Sequence, residues 1–206
     1  SPGALGFVSQ SGAMMAALAN RAADRGLGLS YSVATGNEAD LDTADFLTYF
    51  AEDESTRVVM ALVEGIKDGR KFLHALEALR RAAKPVVLLK VGKSEEGRRV
   101  ALAHTGKMAG SARVFEAACR KAGAVQADDP EELLDAAEVL LQERFPRKRT
   151  LGIITTSGGA AALLADAAEG SRISLPSPSP ETVSRLTPLL PPFARQTLNP
   201  VDLTGQ

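Results

Sequence analysis

Two short stretches of this chain place Ser-Gly where an apolar run gives way to an alanine-rich one. They are Gly6-Phe7-Val8-Ser9-Gln10-Ser11-Gly12-Ala13 and Gly152-Ile153-Ile154-Thr155-Thr156-Ser157-Gly158-Gly159. The offset between them is constant at 146 (152 − 6). A strand that ends this way and opens a helix leaves backbone N–H groups unpaired at the positive end of the helix dipole. Gly12, Gly158 and Gly159 let a ligand reach that backbone, and Ser11 and Ser157 add hydroxyl donors. Phosphate is the anion best matched to such a site. A serine in this position also serves simply to cap its helix. The duplication favours the anion, because two such helices could face one phosphate.

His104 is the next candidate, in Ala101-Leu102-Ala103-His104-Thr105-Gly106-Lys107-Met108-Ala109-Gly110-Ser111. Small residues and glycines around it predict a loop, reached through a second polar loop, Gly92 to Arg99. A histidine beyond the carboxyl end of a strand could act as base, metal ligand or phosphoryl carrier. A metal site is not expected, since the only other histidine is His74 and no cysteine lies nearby. His74 lies within a helical pattern and is read as structural or solvent-facing. Glu64 closes the apolar run Val58 to Val63. It is placed either to hold an imidazole through one ring nitrogen or to stand as an exposed loop acid. Cys119, the only cysteine, sits on an apolar helical face and reads as a small core hydrophobe rather than a nucleophile. There is no G-x-G-x-x-G. Gly92-Lys93-Ser94 resembles the end of a P-loop, but Val87 stands where its first glycine belongs.

The elements that must carry these residues alternate in type. Strands are predicted at Ala4–Ser9, Ser30–Ala34, Arg57–Val63, Pro85–Val91, Ala124–Val125 and Thr150–Thr155. Helices are predicted at Gly12–Arg25, Thr43–Glu52, Gly69–Ala82, Ser111–Ala122, Pro130–Glu143 and Gly158–Glu169. Strands as apolar as Val86-Val87-Leu88-Leu89 are covered on both faces, the mark of a parallel sheet. The alternation makes the fold class α/β, doubly wound. The charged segment Arg144 to Arg149 reads as a linker. The stretch Ser171 to Pro192, rich in Pro and Ser, reads as a surface excursion before a helix near Glu181–Leu190. A weaker echo pairs Gly36-Asn37-Glu38-Ala39-Asp40-Leu41 with Asn199-Pro200-Val201-Asp202-Leu203. Two related α/β domains follow, 1–145 and 150–206, the second incomplete.

The 206 residues are 45% hydrophobic and 24% charged, with a net charge of −1. That suits a globular chain with a real core. It gives no basic excess for nucleic acid or an anionic membrane. No apolar run approaches the ~20 residues that span a bilayer. Ser1-Pro2-Gly3 opens without a basic stretch leading into an apolar one, so no secretory leader is expected. The missing initial Met suggests a processed chain or an excised piece. A single cysteine fits a reducing compartment, hence the cytoplasm.

Taken together, the motifs resemble the NDP-forming acyl-CoA synthetases, relatives of succinyl-CoA synthetase. The matching pieces are the two Ser-Gly stretches, Thr35-Gly36-Asn37-Glu38-Ala39-Asp40, Val63-Glu64-Gly65-Ile66-Lys67-Asp68-Gly69-Arg70, Ala103-His104-Thr105-Gly106 and Asn199-Pro200-Val201-Asp202-Leu203-Thr204-Gly205. They span nearly the whole chain in the family's order. The resemblance implies two flavodoxin-like domains and the interconversion of acyl-CoA, ADP and phosphate with acid, CoA and ATP. It implies that His104 carries the phosphoryl group and that Glu64 positions its imidazole. The helices starting at Ser11-Gly12 and Ser157-Gly158-Gly159 would hold the phosphate, and Gly36 and Asn37 would approach substrate. CoA and ATP or ADP with Mg2+ would be substrates bound mainly by a CoA-binding domain and an ATP-grasp domain. Neither is in this chain, so those parts belong to the same polypeptide or a partner subunit, in an oligomer. This piece alone should not complete turnover, and no tightly bound cofactor is expected. The alternative is a regulatory module that senses acyl-CoA or nucleotide in an acetyltransferase-type fusion; such modules tend to lose the histidine.

Overall fold

The computed structural model describes residues 2–105, 111–143, 145–190 and 199–203, and of Leu102, His104 and Thr105 the backbone only. The chain divides into two compact units, 1–144 and 145–206. The boundary falls at the start of the charged linker.

In the first unit β1 (Pro2–Ser9), β2 (Leu29–Ala34), β3 (Val58–Val63), β4 (Val86–Lys90) and β5 (Val125–Ala127) form one sheet in the order β2-β1-β3-β4-β5. Every pairing is parallel. This is the doubly wound, flavodoxin-like order. β3 lies at the centre and all six of its residues are buried. Its side chains alternate between two cores, as the pleat requires. Val59, Ala61 and Val63 pack with Leu47, Phe50, Phe72, Leu76 and Phe115. These come from α2 (Thr43–Glu52), α3 (Gly69–Arg81) and α5 (Ala112–Ala122). Val58, Met60 and Leu62 pack with Leu18, Ala22, Leu133 and Leu134 on the other face. These belong to α1 (Gly12–Asp24) and α6 (Pro130–Leu141). Cys119 is fully buried in the first core, in agreement with its sequence reading.

The helices begin where side-chain chemistry tells them to. Asp42 and Asp45 form a capping box at α2. Asp68 and Asp129 cap α3 and α6, with Pro130 in the first turn of α6, where its missing N–H is harmless.

One expectation is overturned here. The polar segment read as two loops contains a further helix, α4 (Glu95–Thr105). Ser94 starts it: its hydroxyl accepts the N–H of Gly97 at 3.0 Å, and its carbonyl accepts that of Arg98 at 2.9 Å. Glu95 and Glu96 in the first turn suit the positive helix end. This start outweighs the ~1 kcal/mol that a glycine such as Gly97 costs a helix. The backbone of His104 is therefore helical, one residue before the end of α4, and its side chain lies outside the described residues.

The second unit repeats the opening of the first to the level of single hydrogen bonds. Leu5 N–H donates to the carbonyl of Gly28 at 3.3 Å, and Leu151 N–H to that of Ser174 at 3.0 Å. Helix α7 (Gly158–Gly170) follows β6 (Ile154–Thr155) as α1 follows β1. Both helices close with the same pair of bonds: Leu27 to Ala22 and Gly26 to Ala23 in one, Ile173 to Ala168 and Arg172 to Glu169 in the other. Gly26 has φ +74° and Arg172 φ +56°, the left-handed conformation that ends helices this way.

Beyond Ser174 the halves part. The chain leaves through α8 (Pro180–Leu186) and a 3-10 turn, Thr187–Leu189, and β7 (Val201–Asp202) then pairs with β6. In β1 the N–H and C=O groups of odd-numbered residues face β2. Leu151, Ile153 and Thr155 stand in the corresponding places and bond on one side, to Ser174, Asn199, Val201 and Leu203. β7 therefore occupies the place of β2. The Asn199 amide bonds to the same stretch. Its Oδ1 accepts Ile153 N–H at 3.0 Å, and its Nδ2 donates to the carbonyls of Leu151 and Pro176, each at 2.9 Å. This shortens the predicted strand Thr150–Thr155 to Ile154–Thr155, with one isolated bridge from Thr150 to Ser174. It also corrects the weaker echo. Asp202 pairs with Thr155 as Ala34 pairs with Ser9, so Asp202 answers to Ala34 and not to Asp40.

Candidate functional site

The strand order of the first unit reverses between β1 and β3, with β2 on the far side of β1. Ligands of open α/β sheets gather at the carboxyl ends of strands at such a point. Three turns meet there: Gln10-Ser11-Gly12 after β1, Thr35 to Glu38 after β2, and Glu64-Gly65 after β3.

The first turn is held by Ser9, which is fully buried. Its hydroxyl accepts Ser11 N–H at 3.1 Å and donates to the Ser11 carbonyl at 2.8 Å. Ser11 caps α1, accepting Met14 N–H at 3.4 Å. Gly12 is exposed, and nothing lies within 4 Å of where a Cβ would stand. The backbone at this helix tip is therefore open to an anion. The second turn crosses a left-handed residue, Gly36 (φ +53°), and leaves Gly36 and Asn37 exposed. It closes on Glu38, which is 2% exposed. Glu38 Oε1 accepts from Thr43 N–H at 2.9 Å, Thr43 Oγ1 at 2.7 Å and Gln10 Nε2 at 2.7 Å. Lys67 Nζ donates to the Glu38 carbonyl.

Glu64, half-buried, sits in the third turn. Its N–H goes to Gln10 Oε1 at 2.6 Å and its carbonyl accepts from Lys90 Nζ at 2.6 Å. Lys90 ends β4, is 4% exposed and also donates to the Val91 carbonyl. Burial pushes its ammonium below the ordinary lysine value, and the Glu64 charge opposes that shift.

The structure thus brings Ser11, Gly12, Gly36, Asn37 and Glu64 to one end of one sheet. Ser157, Gly158 and Gly159 lie at the corresponding place of the second unit. Thr155 Oγ1 accepts Ser157 N–H at 3.1 Å, and Ser157 caps α7, accepting Ala160 N–H at 3.3 Å. This tip differs in one respect. A Cβ on Gly158 would meet Asp202 Oδ2 at 3.0 Å, so a carboxylate stands beside the α7 start, where the first unit has Ala34. His74 is exposed on α3. Gln10, Glu38 and Lys90 went unassigned in the sequence. Gln10 and Lys90 are polar residues just after or inside an apolar strand and Glu38 lies in the turn beyond β2, a signal whose meaning depends on which strand ends meet.

An all-parallel, doubly wound sheet in this strand order defines a flavodoxin-like domain. The chain belongs to the succinyl-CoA ligase like flavodoxin domain family, whose pattern matches residues 2–140. Acetate–CoA ligase [ADP-forming] I of Archaeoglobus fulgidus is 41% identical over 203 residues, 98% of this chain and 29% of that protein. The alpha subunit of acetate–CoA ligase [ADP-forming] I of Pyrococcus furiosus is 39% identical over 204 residues, 99% of this chain and 44% of that one. Among solved structures, the dinucleotide-forming acetyl-coenzyme A synthetase 1 of Ca. Korarchaeum cryptofilum, in complex with phosphate and ADP, superposes with a TM-score of 0.87. It is 35% identical, and the match covers 99% of this chain and 44% of that one. The chain spans less than half the length of these relatives.

Proposed function

We propose that this chain is the ligase core of an NDP-forming acyl-CoA synthetase, which interconverts acyl-CoA, ADP and phosphate with a carboxylic acid, CoA and ATP. The observation that carries the reading is likeness to ADP-forming acetate–CoA ligases along 98–99% of the chain. In this reading His104, near the end of α4, takes the phosphoryl group, and Glu64 orients its imidazole. Ser11 and Gly12 at the α1 tip, and Ser157, Gly158 and Gly159 at the α7 tip, hold the phosphate. Gly36 and Asn37 border the substrate.

The electrostatics suit such a carrier. A phosphohistidine bears about two negative charges, and each helix end offers roughly half a positive charge together with N–H donors. A carboxylate bonded to one imidazole nitrogen fixes the ring and keeps the other nitrogen nucleophilic. Residues 150–206 are then the start of a second flavodoxin-like domain. A CoA-binding domain and an ATP-grasp domain, in the same polypeptide or a partner subunit, bind most of the CoA and the Mg2+–nucleotide. The regulatory-module alternative is not favoured, since the relatives named above are ligases.

The test is phosphoryl labelling. The complete enzyme, given ATP labelled at the γ-phosphate and Mg2+, acquires acid-labile label, and His104→Ala abolishes it. Equal labelling of the variant would remove His104 from the reaction; nucleotide binding with no label in either would remove the catalytic reading.

A further inference from the structure

Every main-chain polar group of the Glu64-Gly65 turn is bonded to a side chain. Gln10 Oε1 accepts the N–H of Glu64 at 2.6 Å and that of Gly65 at 2.9 Å. Gln10 Nε2 donates to the Gly65 carbonyl at 2.7 Å, and Lys90 Nζ takes the Glu64 carbonyl. A turn just past a strand end has no ladder partner, and its polar groups ordinarily go to water or to local bonds. Here two buried side chains, one just past the end of β1 and one at the end of β4, satisfy all of them.

Gln10 is itself immobilised. It is 7% exposed. Its remaining amide hydrogen goes to Glu38 Oε1, the oxygen already bound by Thr43. An amide has two acceptor lone pairs and two N–H donors, and all four are engaged. Flipping it would leave several buried groups unpaired, which is costly in a site closed to water. Gln10 N–H also donates to the Leu62 carbonyl at 3.1 Å, which ties the start of α1 to the end of β3. The turn is fixed throughout its backbone, and the Glu64 side chain extends from it.

We propose that Gln10 is a positioning residue for phosphoryl transfer: it clamps the Glu64-Gly65 turn and so holds the Glu64 carboxylate where it orients the imidazole. This rests on the reading of Glu64 given above. On this proposal the effect of Gln10 on the reaction runs through Glu64, so the two should behave as one unit.

A double-mutant cycle in the complete enzyme tests this, read as the initial rate of labelling from γ-labelled ATP. Gln10→Met slows labelling roughly 10- to 100-fold, the usual effect of removing a group that orients a reactive one. Added to Glu64→Gln it causes little further loss, as expected for residues in one pathway. The pH profile gives a second readout. A carboxylate raises the pKa of a neighbouring imidazole, so its displacement moves the acid limb to lower pH. Gln10→Met should shift the limb in the same direction as Glu64→Gln. Multiplicative effects in the double variant, or a limb that stays in place, overturn the proposal and leave Gln10 a packing residue. Normal labelling by Glu64→Gln would instead remove Glu64 from the reaction, a separate failure. If Gln10→Met does not fold, Gln10→Asn, which keeps the amide but is one methylene short, carries the same cycle.

Discussion

Cys119 shows how fully a single side chain can be withdrawn from chemistry. Burial pushes its thiol up to about 12, from an ordinary value near 9. A thiol reagent at pH 8 should therefore modify Cys119 only as fast as the chain opens, and urea should accelerate the reaction. The same shift makes stability depend on pH. The folded state keeps the proton while the unfolded chain loses it above pH 9, so the unfolded state binds fewer protons and stability falls as pH rises. The contribution is intact below pH 9 and is lost toward pH 12, at no more than ~1.4 kcal/mol per pH unit. Comparing urea midpoints of the parent and Cys119→Ala from pH 8 to 10.5 isolates it; parallel curves would show the thiol to be freer than its burial implies. Sequence reading found this residue, because an apolar helical face is a local pattern. It left Gln10, Glu38 and Lys90 unassigned, because a hydrogen-bonded cluster drawn from three strand ends has no local signature.

The repeated strand, turn and helix offer a comparison within one chain. Where α1 ends on Gly26, α7 ends on Arg172 in the same left-handed conformation. An L side chain pays roughly 1–2 kcal/mol there, partly offset by the unfolded-state freedom a glycine would add. Arg172→Gly should stabilise the second unit by about 0.5–1 kcal/mol, seen as slower hydrogen exchange at the amides of Ser171 and Ile173. Faster exchange would mean that the arginine side chain contributes more than its backbone loses. The two serine caps should behave alike: Ser11→Ala and Ser157→Ala each cost about 1 kcal/mol, measured by the same exchange at Met14 and Ala160. Helices were legible where a cap residue preceded a periodic run, as at Asp42, Asp68 and Asp129. α4 escaped because Gly92, Gly97 and a run of charges masked the start at Ser94. β7 escaped because it is two residues long and depends on a partner strand far away in the sequence.

The two units differ as wholes. The first has a five-stranded sheet with a core on each face. Among its described residues the second has a two-stranded sheet and a small cluster around Leu190 and Val201, with Ile154 and Leu163 exposed. Residues 2–144 expressed alone should therefore unfold in one cooperative transition, while 145–206 alone should show little protection from exchange. Comparable protection in both pieces would mean that the second is better built than its buried area implies. In the second unit the side-chain amide of Asn199 adds to the backbone pairing by bridging Ile153, Leu151 and Pro176. Conversion of that amide to an acid by ageing would set a negative charge against two carbonyl oxygens. The usual route of deamidation runs through a cyclic imide, formed by attack of the next residue's backbone nitrogen. That residue is Pro200, which has no N–H to give up, so the route is closed at the asparagine that bridges Ile153, Leu151 and Pro176.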